Sequence, residues 1–198
     1  MIALIDYKAG NLASVSNALA RYDVDYTITN HTEELDAADG IIFPGVGHAN
    51  AAMESLRDLK LVNWLQNTNK TILGICVGMQ LFFEYTPEGE AETLGIIPGK
   101  LQKFDARKAK VPHMGWNNFT ELDHQNPLLK GLTEDSYFYF VHSYYAPVTK
   151  YSVASCSYGA TFSAMVQRDN YYGVQFHPEK SGPEGALLLQ NFLDIVYE

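Results

Sequence analysis

The first half of the chain alternates between short apolar runs and longer amphipathic stretches. The apolar runs are bounded by turn residues, such as the turn-like "KAGN" (8–11), and are typical of buried strands: 1–7, 25–30, 40–45 and 70–75. The stretches between them have apolar residues at helical spacing and predict helices over 11–22, 31–39 and 48–68. Asn11 is the expected N-cap of the first helix. Strands that alternate with helices predict a parallel sheet covered by helices on both faces.

The pattern changes after residue 95. Aromatic and β-branched segments separated by turn residues predict a run of mostly antiparallel strands: 100–104, 114–122, 135–147, 151–159, 161–169 and 171–177. A helix over 182–198, with Pro183 in its first turn, follows. No repeat or linker interrupts the chain. We therefore expect one α/β domain over 1–198, with a central mostly parallel sheet flanked by helices and C-terminal antiparallel strands.

Composition narrows the classes of function. The 198 residues carry a formal net charge of -9 without a cluster of basic residues, which argues against a nucleic-acid partner. No stretch approaches the roughly 18 apolar residues of a membrane span, and the N-terminus lacks the features of an export signal. Two cysteines far apart predict free thiols and a cytoplasmic location. The six histidines lack metal-site spacing, so neither a metal nor another cofactor is expected.

Cys76 is the first candidate for chemistry. In "GICVG" it lies between Gly74 and Gly78, at the end of a predicted strand and before a helix expected to begin near Val77. This is the layout of a nucleophile elbow with sulfur in place of oxygen, and the helix N-terminus would favour a thiolate. The alternative is a cysteine buried in the core, the interpretation we give to Cys156 in "VASCSYG".

The segment "VQFHPEK" (174–180) supplies a base for such a nucleophile. Pro178 moves His177 toward an extended conformation, in which residues two apart project to the same side. Glu179 can then orient the imidazole of His177 and stabilise its charged form. Taken alone, a His-Pro-Glu sequence would more often be a surface turn.

A glycine-rich turn, "FPGVGHAN" (43–50), follows the third predicted strand. It lacks the third glycine of a dinucleotide-binding fingerprint, because Asn50 stands at that position. Its backbone amides are better suited to bind an oxyanion. By itself it could also be a plain tight turn.

Together, "PGVG", "LGICVGMQ" and "VQFHPEKS" resemble the class I (triad) glutamine amidotransferases, whose fold is flavodoxin-like, and the resemblance covers essentially the whole chain. "IDYKAGN", "PGVG" and "PHMGWN" are most similar to the branch that forms the glutaminase subunit of imidazole glycerol phosphate synthase. One departure is Lys8, which replaces a glycine that usually occupies this position in the family.

The resemblance implies that glutamine is hydrolysed to glutamate and ammonia. Cys76 would attack the carboxamide, His177 would transfer protons and Glu179 would orient His177. Amides of Val46 and Val77 would bind the oxyanion. The implied substrate-binding residues are Gly45, Gly47, Gln80, His142, Ser143 and Tyr144, although Gln80 could be a solvated helix residue and the last three part of a plain aromatic strand.

Ammonia released into neutral water is mostly protonated and no longer nucleophilic, so a biosynthetic glutaminase needs a protected route to an acceptor. The resemblance implies that this acceptor is the cyclase subunit, a (β/α)8 barrel that makes imidazole glycerol phosphate and an aminoimidazole carboxamide ribotide (AICAR), in a heterodimer. Asn11, Trp116 and Lys180 are the residues we expect to face it, and each could equally be ordinary surface.

Three alternatives stay open at this point. The chain could belong to another branch of the class I glutaminases. It could be a different cysteine hydrolase, such as a peptidase or an esterase-like enzyme, that also uses Cys76 and His177. It could also be a regulatory or scaffold protein that has kept the fold without the activity.

Overall fold

The computed structural model describes residues 1–8 and 11–198, so the predicted turn at 8–11 lies partly outside the described residues. The strands are β1 (Ile2–Ile5), β2 (Tyr26–Thr29), β3 (Gly40–Gly45), β4 (Thr71–Cys76), β5 (Tyr85–Thr86), β6 (Ala91–Glu92), β7 (Gln102–Lys103), β8 (His113–Asn118), β9 (Glu121–Leu122), β10 (Tyr137–His142), β11 (Tyr144–Tyr145), β12 (Ser152–Ser157), β13 (Thr161–Arg168) and β14 (Tyr171–Val174). The α-helices are α1 (Leu12–Leu19), α2 (Thr32–Ala37), α3 (Ala49–Asp58), α4 (Val62–Asn67), α5 (Val77–Gln80) and α6 (Gly182–Tyr197). Two 3₁₀ helices cover Pro127–Leu129 and Pro178–Lys180.

The central sheet has eight strands in the order β2-β1-β3-β4-β14-β13-β12-β9. The five strands from β2 to β14 run parallel to their neighbours. The last three, β13, β12 and β9, are added antiparallel. This confirms the predicted α/β fold with a mostly parallel sheet and C-terminal antiparallel strands.

Burial explains why the central strands lack an alternating pattern. Every residue of β1, β3 and β14 is buried, as are all but the first residue of β4. A parallel sheet covered on both faces selects continuous apolar strands of this kind. The largest buried aromatic side chains include Phe43, Phe82, Phe138 and Phe176, so the core extends from the sheet to the pair of strands described next.

A separate two-stranded sheet, β8 with β10, lies against this core. Phe138 and Phe140 on β10 are fully buried and form its inner face. Met114 and Trp116 on β8 point the other way and are 63% and 55% exposed. The β8–β10 pair therefore has one face in the core and one apolar face in solvent.

The ends of the chain agree with the sequence. Asn11 accepts a hydrogen bond from the Ser14 amide at 3.4 Å, which confirms it as the N-cap of α1. Pro183 lies in the first turn of α6, as predicted. Across residues 1–8 and 11–198, none of the helices combines the length and the apolar character that crossing a membrane would require.

The prediction of one helix over 48–68 is wrong, because the chain forms two helices, α3 and α4. Lys60 adopts φ 59° between them. Its amide donates to Arg57 O at 3.0 Å, and the Leu61 amide donates to Leu56 O at 2.9 Å. These are the two bonds of a Schellman motif, closed by the buried pair Leu56 and Leu61. The sequence concealed this break because lysine occupies the position where glycine is usual.

We expect Lys60→Gly to stabilise the protein by about 0.5–1 kcal/mol, because glycine adopts this left-handed conformation without the steric cost that lysine incurs. Urea denaturation measures the change. Ala51→Gly is the matched control: it lies in α3 with an exposed side chain, and there glycine should destabilise by about 1 kcal/mol. A loss of stability in Lys60→Gly equal to that of the control would contradict the prediction.

Candidate active site

The candidate site lies at the carboxyl ends of three adjacent parallel strands. Cys76 ends β4 and is paired in register with Gly45 at the end of β3. On the other side Ile75 is paired with Val174, so the chain that leaves β14 passes beside Cys76. Ligands in open α/β sheets bind at this edge. The glycine-rich turn and the segment that carries His177 therefore flank the cysteine.

Cys76 has the backbone of a nucleophile elbow. Its φ of 53° and ψ of -106° lie outside the conformations that a non-glycine residue usually adopts. The turn is tight: a Cβ on Gly78 would lie 2.0 Å from the Phe43 carbonyl oxygen, and one on Gly74 would lie 2.7 Å from the Phe82 ring. The small residues on both sides of the cysteine are therefore a steric requirement.

The helix after the elbow begins at Val77, as predicted, but it is a single turn, Val77–Gln80. The first amides of a helix have no acceptor within the helix, so the helix itself does not engage the amides of Val77 and Gly78. One turn supplies only part of a helix dipole. The electrostatics of Cys76 therefore depend more on individual neighbours than the sequence suggested.

His177 and Glu179 form a buried pair. His177 Nδ1 lies 2.8 Å from Glu179 Oε1, and each side chain is only 1% exposed. The expected contact is present, but the predicted reason for it is wrong. His177 is extended, with φ -103° and ψ 95°, whereas Glu179 belongs to the 3₁₀ helix Pro178–Lys180. The chain turns at Pro178 and folds the carboxylate back onto the ring.

The charge state of His177 follows from its neighbours. Burial by itself disfavours the charged ring, but the side chain of Cys76, and next that of Glu179, outweigh burial and raise the pKa of His177 to about 10. Since Nδ1 is occupied by Glu179, Nε2 is the nitrogen left for Cys76. Within the described chain Nε2 is buried and has no partner of regular hydrogen-bond geometry.

Cys76 and His177 open onto one cavity of about 330 Å³. The other predicted residues that line it are Val46, Gly47, Val77, Gln80, His142, Ser143 and Tyr144. Gly45 does not line it. It packs beneath the elbow, where a Cβ would lie 2.5 Å from the Gly78 nitrogen. Glu179 is also outside the lining and contacts the cavity only through His177.

Gln80 is 3% exposed, which excludes a solvated helix residue. Its amide nitrogen donates to Tyr144 O at 2.9 Å and to Gln175 Oε1 at 3.0 Å. Gln175 is fully buried, and its own nitrogen lies 3.7 Å from Cys76 Sγ. Gln175 was not predicted from the sequence, although its position two residues before His177 was an available signal.

His142 is held within the protein. Its Nδ1 donates to Tyr144 O at 2.8 Å, so its Nε2 accepts from His113 Nδ1 at 3.0 Å. Burial lowers the pKa of His142 to about 3 and that of His113 to about 4, and both rings are therefore neutral near pH 7. Because both ring nitrogens of His142 are engaged, its ring is not free to bind a ligand.

Glu88 lines the cavity and was not predicted. One carboxylate oxygen accepts a hydrogen bond from the Ala49 amide at 2.8 Å, at the N-terminus of α3. Glu88 lies in "TPEGEAETLG", a turn-rich boundary segment, and nothing in that segment alone distinguishes it from the two other glutamates there.

The remaining predicted residues lie outside the cavity. Asn11 is half-buried at the start of α1, while Trp116 on β8 and Lys180 after Glu179 are exposed. Cys156 is fully buried and free, as expected of a packing residue. In the part of the chain that the structure describes, no group of three or more His, Cys, Asp or Glu side chains could hold a metal ion.

Comparison with known proteins adds to this geometry. Residues 3–196 match the family model of glutamine amidotransferase class-I. The chain is 45% identical over 194 residues to imidazole glycerol phosphate synthase subunit HisH of Pasteurella multocida, covering 98% of this chain and 97% of the relative. It is 46% identical over 193 residues to subunit HisH 2 of Campylobacter jejuni, covering 97% of both.

Solved structures share the fold at lower identity. A glutamine amidotransferase superposes with a TM-score of 0.74 at 16% identity, over 100% of this chain and 99% of that one. A chain of the PurLQS structure from Thermotoga maritima superposes with a TM-score of 0.67 at 20% identity, over 98% of both chains. These identities support a common architecture only.

The raised pKa of His177 predicts a pH-dependent contribution to stability. Because its folded pKa of about 10 exceeds the unfolded value of 6.5, the charged ring stabilises the fold fully below pH 6.5, and this contribution is lost as the pH rises towards 10. The difference in unfolding free energy between wild type and His177→Asn should shrink over that range. Urea denaturation at several pH values measures it.

His124→Asn is the control, since His124 is exposed and pairs only with Glu134 at the surface. Its difference from wild type should stay flat between pH 8 and 10. A flat difference for His177→Asn over the same range would show that the ring carries no excess charge in the folded protein.

Proposed function

The chain belongs to the class I glutamine amidotransferases, and from this premise we propose that it is the glutaminase subunit of an imidazole glycerol phosphate synthase, which supplies ammonia for histidine biosynthesis. The observation that carries the chemistry is that Cys76 and His177 line one cavity while Glu179, outside the lining, is paired with His177. The relatives named above support the assignment to this branch of the family.

The first half of the reaction uses the charged form of the pair. The Cys76 thiolate attacks the carboxamide carbon of glutamine and forms a tetrahedral intermediate with a negative oxygen. His177, charged through its contacts with Cys76 and Glu179, then gives its Nε2 proton to the leaving nitrogen. The C–N bond breaks, ammonia leaves, and glutamate stays attached to Cys76 as a thioester.

The second half uses the neutral ring. His177, which has just lost its proton, takes one from water at Nε2 while the water oxygen attacks the thioester carbon. The intermediate collapses, the C–S bond breaks, and glutamate leaves. The thiolate and the charged ring are restored. Glu179 holds Nδ1 throughout, so Nε2 faces the reaction in both halves.

The negatively charged oxygen of both tetrahedral intermediates needs hydrogen-bond donors, and we expect them on the side of Cys76 away from His177. Val46 and Val77 line the cavity there, one in the glycine-rich turn and one at the first position of α5. Gly47, at φ 94°, gives the turn a conformation that other residues avoid. We assign the oxyanion site to the amides of Val46 and Val77, because they flank the carbon that the sulfur attacks.

Glutamine also carries an ammonium and a carboxylate. Glu88 is an acidic residue in the cavity lining and suits the ammonium group. The amides of Ser143 and Tyr144 suit the carboxylate. Because the Gln80 nitrogen is already donating, its oxygen is the end available to the substrate. Both ring nitrogens of His142 are engaged elsewhere, so His142 can contact the substrate only through its backbone.

Ammonia must reach its acceptor without meeting water, which calls for an acceptor site connected to the glutaminase cavity. We assign that site to a cyclase subunit with a (β/α)8 barrel, joined to this chain as a cytoplasmic heterodimer that also has lyase activity. The relatives are named as subunits of such a synthase, which supports the assignment.

The exposed face of β8 and β10 supports a docking surface beside the site. Met114 and Trp116 are more than half exposed, and Tyr137 is 50% exposed. An apolar surface of this kind usually contacts another protein. Tyr139 is paired with Trp116 between β10 and β8, and its backbone carbonyl accepts a hydrogen bond from the His177 amide at 2.9 Å. We also place Lys180, and Asn11 at the start of α1, in the interface with the cyclase.

The central test is glutamate release from glutamine, measured with and without a barrel-type cyclase and its ribotide ligand. We expect release with both present and a loss of about 1,000-fold or more in Cys76→Ala, since the covalent step disappears. Cys156→Ser is the matched control, because Cys156 is buried outside the cavity lining and its sulfur donates a hydrogen bond to Asn118 O at 3.0 Å. Its activity should stay close to wild type.

Absence of glutamate under every condition would reject the proposed function. Hydrolysis of generic peptides or esters without hydrolysis of glutamine would indicate a different cysteine hydrolase. Full biological activity in Cys76→Ala would indicate a scaffold protein.

The docking surface predicts that Trp116→Ala weakens binding of the cyclase by about tenfold or more, as expected for a central aromatic contact. Isothermal titration calorimetry measures the affinity. Ile28→Ala is the control, because Ile28 is 45% exposed on β2, an edge strand of the eight-stranded sheet, whereas Trp116 lies in the separate β8–β10 pair. Equal affinities for wild type and Trp116→Ala would remove this face from the interface.

A further inference from the structure

Gln175 has a side chain that the reaction above does not use. It is fully buried in the segment between β14 and His177, and its amide ends contact two residues of the site. A buried amide that is hydrogen-bonded at both ends has a defined orientation. The direction of that amide decides what it presents to Cys76.

The orientation can be derived from Tyr144. Its backbone carbonyl only accepts hydrogen bonds, so the group of Gln80 that lies 2.9 Å from it must be the NH₂ end. The same NH₂ end lies 3.0 Å from Gln175, which must therefore present its oxygen there. The NH₂ end of Gln175 is then directed to Cys76 Sγ, at 3.7 Å.

The sulfur thus has neighbours of opposite character. The Val141 carbonyl oxygen, at 3.9 Å, accepts from a neutral thiol and repels a thiolate. The Gln175 nitrogen donates, and a donor favours the charged form. His177 is the second group that favours the charge.

We propose that Gln175 is a further catalytic residue, whose amide donates to the Cys76 sulfur and stabilises it as the thiolate that attacks glutamine. Gln80 and the Tyr144 carbonyl act as positioning groups, because they hold the Gln175 amide in the donating orientation. The proposal rests on the proposed role of Cys76 as the nucleophile. It adds a neutral donor that is independent of the His177–Glu179 pair.

Alkylation of Cys76 by iodoacetamide tests the contact without glutamine turnover. In a Cys156→Ser background only one thiol reacts. Gln175→Glu keeps the size of the side chain and the acceptor for Gln80 but replaces the donor by a carboxylate oxygen. We expect alkylation at pH 7 to slow about tenfold, the loss of one hydrogen bond to a charged atom, and the half-maximal rate to move up by about one pH unit.

Gln175→Met, which removes the donor without adding a charge, should change the rate in the same direction by a smaller factor. Gln80→Met, which releases the Gln175 amide, should do so as well. Gln167→Glu is the control, because Gln167 lies in β13 opposite Tyr172, towards the amino end of β14. Its profile should match wild type.

Circular dichroism establishes that each variant is folded. Wild-type pH profiles in the folded variants of Gln175 and Gln80 would overturn the proposal. The expected shift of the alkylation profile in these variants, combined with no glutamate release by the wild-type protein, would support the contact and reject the proposed function. The two failures can therefore be told apart.

Discussion

The site depends on the strained backbone of Cys76 at the junction of β4 and α5. A non-glycine residue at φ 53° costs on the order of 1–3 kcal/mol and persists only where its surroundings demand it. Here the demand comes from packing, since Gly45 and Gly78 meet beneath the turn with no room for a Cβ on either. The fully buried Tyr7 donates a hydrogen bond to Pro44 O at 2.7 Å and fixes the end of β3, where Gly45 is paired with Cys76. The sulfur is thereby held at the cavity, and the segments that flank it are brought there by strand register.

The three buried histidines near the site differ in charge state because their neighbours differ. Burial favours the neutral ring in every case, and in His113 and His142 nothing outweighs it. At His177 the side chains of Cys76 and Glu179 outweigh burial and hold the proton on the ring. The neutral pair organises the segment that follows β10, while the charged ring is in the protonation state that the proposed mechanism requires.

The β8–β10 pair joins His177 and Cys76 to the exposed apolar face. Tyr139 O accepts from the His177 amide, and Tyr139 is the partner of Trp116 in the β8–β10 register. Val141, on the same strand as Tyr139, contributes a carbonyl oxygen 3.9 Å from the sulfur. A partner seated on Trp116 would therefore contact a structural unit whose other side positions both His177 and Cys76.

The sequence was sufficient for features that are local along the chain. Apolar periodicity gave the order and type of most elements, and the elbow glycines and His-Pro-Glu gave the residues that the structure brings together. It was misleading where one residue adopts an unusual conformation, as at Lys60, and where the reason for a contact was inferred from a strand that turns into a 3₁₀ helix at Pro178.

Tertiary structure decided what depends on groups distant in sequence. The orientation of the Gln175 amide requires Gln80, 95 residues away, and the Tyr144 carbonyl that fixes Gln80. Glu88 enters the cavity because its carboxylate accepts from α3, 39 residues earlier. Periodicity and motifs record the preferences of neighbouring residues, whereas these contacts arise only when strand register and packing bring separate segments into hydrogen-bonding distance.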